Sequence, residues 1–366
     1  MDGWCTAASP AADGGTTGDV DAPPASDFQF QQRLTFDNRG RGELHDLPVL
    51  VALDPERFDY AAVRSDGGDL QFRDADGALL PHEIETWDPQ GRSSLWVRIP
   101  SIDADTADDY IWLHYGNPDL ARDDRLAESV WSSYLAVYHM GDGDQEVEDS
   151  TAQGLAGVAI GSQSAAGFIG QAHAFDGVDQ YVDLGAGRDF LRDVPGATLE
   201  LWARPAAHGP GVLLAASIHS TVAGSYPSRA QALLNPDGTV EGGGRALDEG
   251  ELAAATSADP LTLGAWSWVV VVIDYAGDRV EVHLNGQLAG AGEEFGLQPR
   301  SPDTTSSQAA IGVDEELIHD FFTGLIDEVR IAGRANSRDW IAAQYAAMTD
   351  RLITYAAPEA RSSAAR

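Results

Sequence analysis

Gly324-Leu325-Ile326-Asp327-Glu328-Val329-Arg330-Ile331 (GLIDEVRI) is the stretch on which the fold turns. Read as a β-strand, it places Leu325, Val329 and Ile331 on one face and Ile326, Glu328 and Arg330 on the other. Asp327 falls on the face of Leu325, Val329 and Ile331, where an apolar core residue is expected. A buried carboxylate needs a hydrogen-bond donor, a cation or a metal ion. Asp327 is therefore both a marker of the fold and a candidate ligand.

Upstream, short strands alternate with turn residues. Residues 134–140 (YLAVYHM) read as a first strand, and 171–184 (QAHAFDGVDQYVDL) as two strands around Asp176-Gly177. Residues 198–205 (TLELWARP) alternate, and 212–218 make another strand. Residues 265–275 (AWSWVVVVIDY) are long and apolar enough for the middle of a sheet. Residues 279–284 (RVEVHL) alternate and stop at Asn285-Gly286, a two-residue hairpin signal, so Gln287-Leu288-Ala289 should return as partner. A short strand at 309–313 precedes the opening stretch. After it, 337–351 (SRDWIAAQYAAMTDR) reads as a helix with Trp340, Ile341, Tyr345 and Met348 on one face and Ser337 as cap.

The first third of the chain has the same texture. Residues 32–36, 47–53, 70–73, 82–87, 95–99 and 110–115 read as strands separated by Asp, Asn, Gly and Pro, the pattern of an antiparallel sandwich. Residues 1–26 are rich in Ala, Gly, Pro, Asp and Thr and read as a disordered tether. The expected organisation is all-β: a β-sandwich over 27–120, a linker over 121–130 with some helical character, a jelly roll over 131–356 with one C-terminal helix, and a disordered tail over 357–366.

Composition narrows the function. The 366 residues carry a net charge of -35, and the 23 basic residues are all arginine. Such a charge argues against nucleic acid or an anionic membrane as partner. No apolar run approaches the roughly 18 residues of a membrane span. Cys5 is the only cysteine, so a disulfide framework and a cysteine zinc site are both out of reach. Trp4 is too bulky for the small residue that precedes a lipidated cysteine, and Cys5 is expected to be an unpaired tail residue. No signal peptide is visible at the start of the sequence.

Two resemblances organise these readings. The opening strand, "DLQFRDADGALLPHEIETWD", "LWVRIP" and "IWLHYGN" resemble, in that order over about 28–120, the bacterial DUF2341 family. That resemblance implies a β-rich module of envelope or secreted proteins and no chemistry. "YHM", "GQAHAFDGVDQYVDL", "LELWARP", "WSWVVVVIDYAGDRVEVHLNGQLAG", "AAIG" and "GLIDEVRI" followed by a helix resemble the laminin G-like, concanavalin A-like lectin/glucanase superfamily over 131 to about 350. This implies a two-sheet jelly roll in which the Asp176-Gly177 turn and the 324–331 strand are neighbours.

Known catalytic patterns are missing. Retaining glycosidases need paired carboxylates about 5 Å apart, and the E-x-D-x-E strand that laminarinase-like members use is absent; Leu325 stands where its first glutamate would be. Glu83 and Glu85 are two apart but lie in the other domain, without a central aspartate. His82-Glu83 begins like a zinc-protease helix, but Thr86 replaces the second histidine. There is no G-x-S-x-G and no P-loop. Residues 141–153 (GDGDQEVEDSTAQ) fail as an EF-hand loop, with Val147 at the glycine position and Gln153 at the bidentate position, and read as a solvated acidic loop.

Ion and ligand binding remain. Asp176 and Asp327 are the candidate ligands of a calcium ion that fastens the loops; the alternative is that Asp327 bonds backbone amides at the Asp176-Gly177 turn without a metal. For sugar binding, the loop at 219–229 offers Tyr226 and Arg229, and the loop at 314–321 offers Asp314 and His319. The expected protein is non-catalytic, extracellular or on a bacterial cell surface, with a glycan or envelope polymer as partner. A structural or protein-interaction module of the envelope, bound to other envelope proteins, is the alternative.

Overall fold

The computed structural model describes residues 24–120, 125–185, 190–218, 228–247, 252–292, 298–303, 308–314, 317 and 319–361. In the first domain, strands Phe30–Phe36, Tyr110–Tyr115, Gln71–Asp74 and Leu79–Leu80 form one sheet, and Leu44–Leu53, Ser93–Ile102 and His82–Thr86 form a second. Leu34, Val49, Phe72, Leu95, Val97 and Leu113 fill the core between them.

The far end of the chain completes this sheet. Ile353–Tyr355 pairs with Leu34, Thr35 and Phe36, and Glu359–Ala360 pairs with Phe30 and Gln31. Residues 357–361, expected in a disordered tail, are thus partly a strand, and the boundary drawn at 356 does not separate two bodies. The cause is the open edge of Phe30–Phe36, whose unpaired N–H and C=O groups need partners.

The second domain is the two-sheet sandwich. One sheet runs Ala253–Thr256, Val240–Gly244, Ser228–Leu234, Gly211–Ile218, Gln308–Ile311, Tyr181–Asp183, Gly157–Ile160, Glu146–Val147. The other runs Gln163–Ala166, Gln171–Asp176, Thr323–Ala332, Gly196–Pro205, Ser267–Asp274, Arg279–Leu284, Gln287–Ala291. Ala136–Tyr138 also pairs with Val329, Arg330 and Ile331. Asn285 and Gly286 turn the hairpin with φ of 51° and 79°, the left-handed pair that such a turn requires.

Ser267–Asp274 shows why one strand can be apolar throughout. Val269, Val271 and Ile273 face the sandwich interior, whereas Trp268, Val270 and Val272 belong to a core shared with the first domain. The outer face of this sheet is therefore covered, by the first domain and by helix Arg338–Met348.

The opening stretch departs from simple alternation. Against Gly196–Pro205, Glu200 opposes Arg330 and Trp202 opposes Asp327, so one residue on that strand faces two on the other. Glu328, with φ of 53°, sits at this β-bulge. The extra residue shifts the side-chain parity. Ile326, Val329 and Ile331 point into the sandwich. Asp327 consequently leaves the sandwich core and joins Glu328 and Arg330 in the interface with the first domain.

Helix Arg338–Met348 lies in the same interface and packs on Leu44–Leu53. The Ser337 hydroxyl accepts from Trp340 N at 3.2 Å. Ser337→Ala is expected to lower unfolding free energy by about 1 kcal/mol, readable as a lower denaturation midpoint with unchanged slope.

Candidate functional site

Glu83 and Glu85 alternate with Ile84 on strand His82–Thr86 and so project from one face. That face meets the second domain. Opposite stand His139, which follows strand Ala136–Tyr138, and Glu328 at the bulge. His139 Nδ1 lies 2.7 Å from Glu328 Oε1 and 3.7 Å from Glu85 Oε2; Nε2 lies 3.3 Å from Glu83 Oε2. The side chains of Glu83, Glu85, His139 and Glu328 are 14 %, 6 %, 9 % and 0 % exposed.

Each carboxylate is anchored from behind. Trp96 Nε1 donates to Glu85 Oε2 at 2.7 Å. Trp131 Nε1 and Ser150 Oγ donate to the two oxygens of Glu83. Arg330 Nη2 donates to Glu328 Oε2. The Arg330 guanidinium lies over the rings of Trp96 and Trp131, 4.2 and 4.8 Å from their centroids, where a desolvated cation is attracted to the π faces.

Burial separates the protonation states of these groups. It pushes Glu85 up, with the neighbouring Glu328 charge adding to it, to about 8. Burial and the Glu328 charge also hold Asp327 well above the usual carboxylate range. Glu328 moves the other way: burial opposes ionisation, but His139 and Arg330 outweigh it and hold the carboxylate down at about 2. For His139, burial disfavours the imidazolium, but Glu328 and Glu83 raise it well above its ordinary value.

A cleft of about 250 Å³ opens from this cluster to the surface, lined by Glu83, Glu85, His139, Asp142, Glu148 and Gln171 among others. The acidic stretch after Met140 thus forms one wall of a site, beyond the solvated loop expected of it. Its failure as an EF-hand is consistent with this, because it contributes side chains to a cleft and does not wrap around an ion.

Asp327 Oδ2 accepts from Phe168 N at 2.8 Å and Ile169 N at 3.0 Å. Its amide donors come from the turn before Gln171–Asp176, and not from Asp176-Gly177. Asp176 is exposed and accepts from Val178 N and Asp179 N in its own turn. The ladder aligns Asp176 with Thr323 and His173 with Ile326, so Asp176 and Asp327 are roughly 13 Å apart along the strands at about 3.3 Å per residue. The structure does not bring these two together.

The other expected ligand residues are also dispersed. Arg229 was placed on a rim loop by its sequence context; it is instead inside strand Ser228–Leu234 and 0 % exposed, with its carbonyl accepting from Tyr275 Oη. Asp314 is buried and accepts from His319 N at 3.0 Å, and His319 is exposed. Tyr226 lies outside the described residues.

Beside the cleft, Glu200 is buried opposite Arg330. Tyr134 Oη and Asn336 Nδ2 each donate to its Oε1 at 3.3 Å. Burial raises its carboxyl to about 7 against the lowering effect of Arg330. The folded pKa exceeds the unfolded one, so this group's stabilisation is complete below the unfolded pKa, about 4.3. It is lost as pH rises through about 7. Glu200→Gln is expected to flatten the decline of stability between pH 5 and 7 relative to the parent chain, by up to a few kcal/mol at roughly 1.4 kcal/mol per pKa unit. Denaturant titrations at several pH values read this directly.

Residues 66–133 match the family model described as a domain of unknown function, DUF2341, and residues 176–342 match that of the concanavalin A-like lectin/glucanases superfamily. The chain carries the two in that order. Glu83, Glu85, Trp96 and Trp131 belong to the first matched region and Asp327, Glu328 and Arg330 to the second, with His139 between them.

Solved structures show a distant similarity to part of the chain. Domain 4 of an extracellular arabinanase from Geobacillus stearothermophilus, in complex with arabinotriose, aligns at 20 % identity and TM-score 0.42, covering 58 % of this chain and 98 % of that one. A heptameric SAP-like pentraxin from Limulus polyphemus aligns at 15 % and 0.37, covering 46 % and 79 %. The ligand binding domain of botulinum neurotoxin serotype D, in complex with N-acetylneuraminic acid, aligns at 11 % and 0.43, covering 58 % and 50 %. No curated protein matches the chain.

His139 and Glu328 were not singled out from the sequence, and Glu83 and Glu85 were considered there as an acid pair and set aside. One signal was present: two carboxylates alternating on a strand of otherwise mixed character, and an Arg330 two residues after Glu328.

Proposed function

We propose that the chain is a secreted or surface-attached bacterial protein that binds a glycan or envelope polymer, without cleaving it, in the cleft between its two domains. The lining of that cleft carries the reading: carboxylates, an imidazole and an amide converge on one concave site. A sugar presents hydroxyl donors, and hydrogen bonds to charged acceptors contribute about 1.5–3 kcal/mol each. The cleft is small beside ligand pockets of about 300–1,000 Å³, which suits a chain end or a single sugar unit. The rings of Trp96 and Trp131 stand behind the carboxylates, so recognition rests on hydrogen bonds more than on stacking. Among the described residues no helix is long and apolar enough to cross a membrane.

A hydrolase reading has one observation in its favour, the divergence of Glu85, raised to about 8, from Glu328, lowered to about 2, as in acid/nucleophile pairs. Against it, Glu328 is fully buried and both its oxygens are engaged by His139 and Arg330.

A glycan array probed with the full chain tests the proposal. Binding to a restricted set of glycans is expected, weakened about tenfold or more (one charged hydrogen bond) in an Asp142→Ala/Gln171→Ala variant at the rim. Uniformly blank arrays would leave the envelope-scaffold alternative. Release of reducing sugar from a bound glycan would overturn the non-catalytic part.

A further inference from the structure

The floor of the cleft has a second capacity, which does not depend on glycan binding. We propose that Glu85, His139 and Glu328 form a binding site for one divalent cation of the zinc class. One ligand atom from each lies within 4.8 Å of the others. An ion about 2.1 Å from tetrahedral nitrogen and oxygen ligands needs them roughly 3.4 Å apart. Nδ1 of His139 already stands 2.7 Å from Glu328 and 3.7 Å from Glu85, so small side-chain rotations suffice.

The surroundings are those of a built site. His139 and Glu328 each have their remaining polar atom fixed by a neighbour. Nε2 of His139 faces Glu83 Oε2 at 3.3 Å, the carboxylate–histidine arrangement that orients an imidazole and leaves the other nitrogen for a metal. Glu83 is itself held by Trp131 and Ser150. Trp96 donates to the same Glu85 oxygen that faces His139 and so fixes its position, and Arg330 holds the second oxygen of Glu328.

A separate observation, an unpartnered buried oxygen beside these ligands, supports a bound cation. Asp327 is 0 % exposed, and its Oδ1 has no hydrogen-bond partner. Asp327 directly precedes Glu328 in the chain and borders the same 167–170 turn as Glu85. The turn that supplies its amide donors abuts both carboxylates: a Cβ on Gly167 would stand 2.6 Å from Asp327 Oδ2, and one on Gly170 would stand 2.7 Å from a Glu85 oxygen. Four carboxyl groups, those of Glu83, Glu85, Asp327 and Glu328, are thus gathered around one imidazole, with Arg330 bonded to Glu328.

The donor set decides the class of ion. One imidazole among carboxylates suits zinc and its neighbours, whereas calcium and magnesium take shells of oxygen alone. Three protein ligands leave a coordination position facing the cleft, through which the ion enters and to which water or a hydroxyl can bind.

The test uses the full chain, stripped with chelator. Zinc and cobalt(II) are each titrated by calorimetry in excess calcium, which occupies the weak acidic surface sites. One ion per chain is expected. Glu85→Gln and His139→Gln should each lose more affinity than the roughly 10–100-fold expected of the outer-sphere Glu83→Gln. Far-UV circular dichroism confirms that each variant is folded. X-ray absorption at the zinc edge on the unmutated chain should show an imidazole in an otherwise oxygen shell. Absence of stoichiometric zinc binding, displacement by calcium, an all-oxygen shell, or unchanged affinity in folded Glu85→Gln and His139→Gln would each overturn the proposal.

Discussion

Arg330→Met is expected to lower the unfolding free energy by about 3–5 kcal/mol, the usual cost of removing one partner from a buried ion pair. Arg330 is 1 % exposed, bonds Glu328, and opposes Glu200 across the ladder. Methionine matches much of its volume but removes the guanidinium from both carboxylates, leaving Glu328 with His139 alone. The guanidinium also loses its position over Trp96 and Trp131. Arg330→Lys should recover little, since a compact ammonium neither stacks on two indoles nor presents a planar fork. The informative comparison is the double variant Arg330→Met/Glu328→Gln. Removing both members of a buried pair is often close to neutral, so the double variant should be more stable than Arg330→Met alone. Chemical denaturation of the four chains closes the cycle. A double variant less stable than either single one would show that packing, and not the uncompensated charge, carries the effect.

Much of the architecture was legible in the sequence because strands alternate and turns use particular residues. The Asn285-Gly286 hairpin, the apolar Ser267–Asp274 strand and the capped Arg338–Met348 helix follow from local chemistry. Residues 324–331 were legible as a strand, but not in their facing. Alternation assumes one residue opposite one, and the bulge at Glu328 breaks that count without a sequence signal such as glycine. One inserted residue moved Asp327 from the expected sandwich core to the domain interface.

The site was hidden for a different reason. Its members are distant in the chain, with His139 and Glu328 separated by 189 positions, and they come from two matched families. Glu83 and Glu85 have no catalytic pattern when the first domain is considered alone. They gain a role only when the outer face of the second domain's sheet closes over them. A concanavalin A-like sheet with Trp268, Val270 and Val272 on its outer face needs a cover, and the first domain supplies it. The DUF2341 region therefore supplies one wall of the cleft.

Trp202→Ala tests that coupling and is expected to cost about 3–5 kcal/mol, the range for deleting a large buried aromatic. Trp202 is 1 % exposed on the outer face of the sheet. Phe168 stacks on it with centroids 3.5 Å apart and planes at 16°, and its Nε1 donates to Met348 Sδ at 3.3 Å. Tyr345 of the same helix lies 5.9 Å away. The ring thus joins the sandwich, the turn at 167–170 and the C-terminal helix. The helix in turn packs on the first domain, whose core cluster includes Trp202. Because one cluster spans both domains, calorimetry should show a single transition in the parent chain and in Trp202→Ala, shifted to lower temperature in the variant. Two resolved transitions in the parent would show that the domains fold independently and would remove the basis for an interface site. Trp202→Phe keeps a ring against Phe168 and should lose much less. Phe168 N is also a donor to Asp327, so Trp202→Ala, though outside the cleft, should weaken cleft ligands along with the fold, whereas a surface substitution of equal stability cost should leave them unchanged.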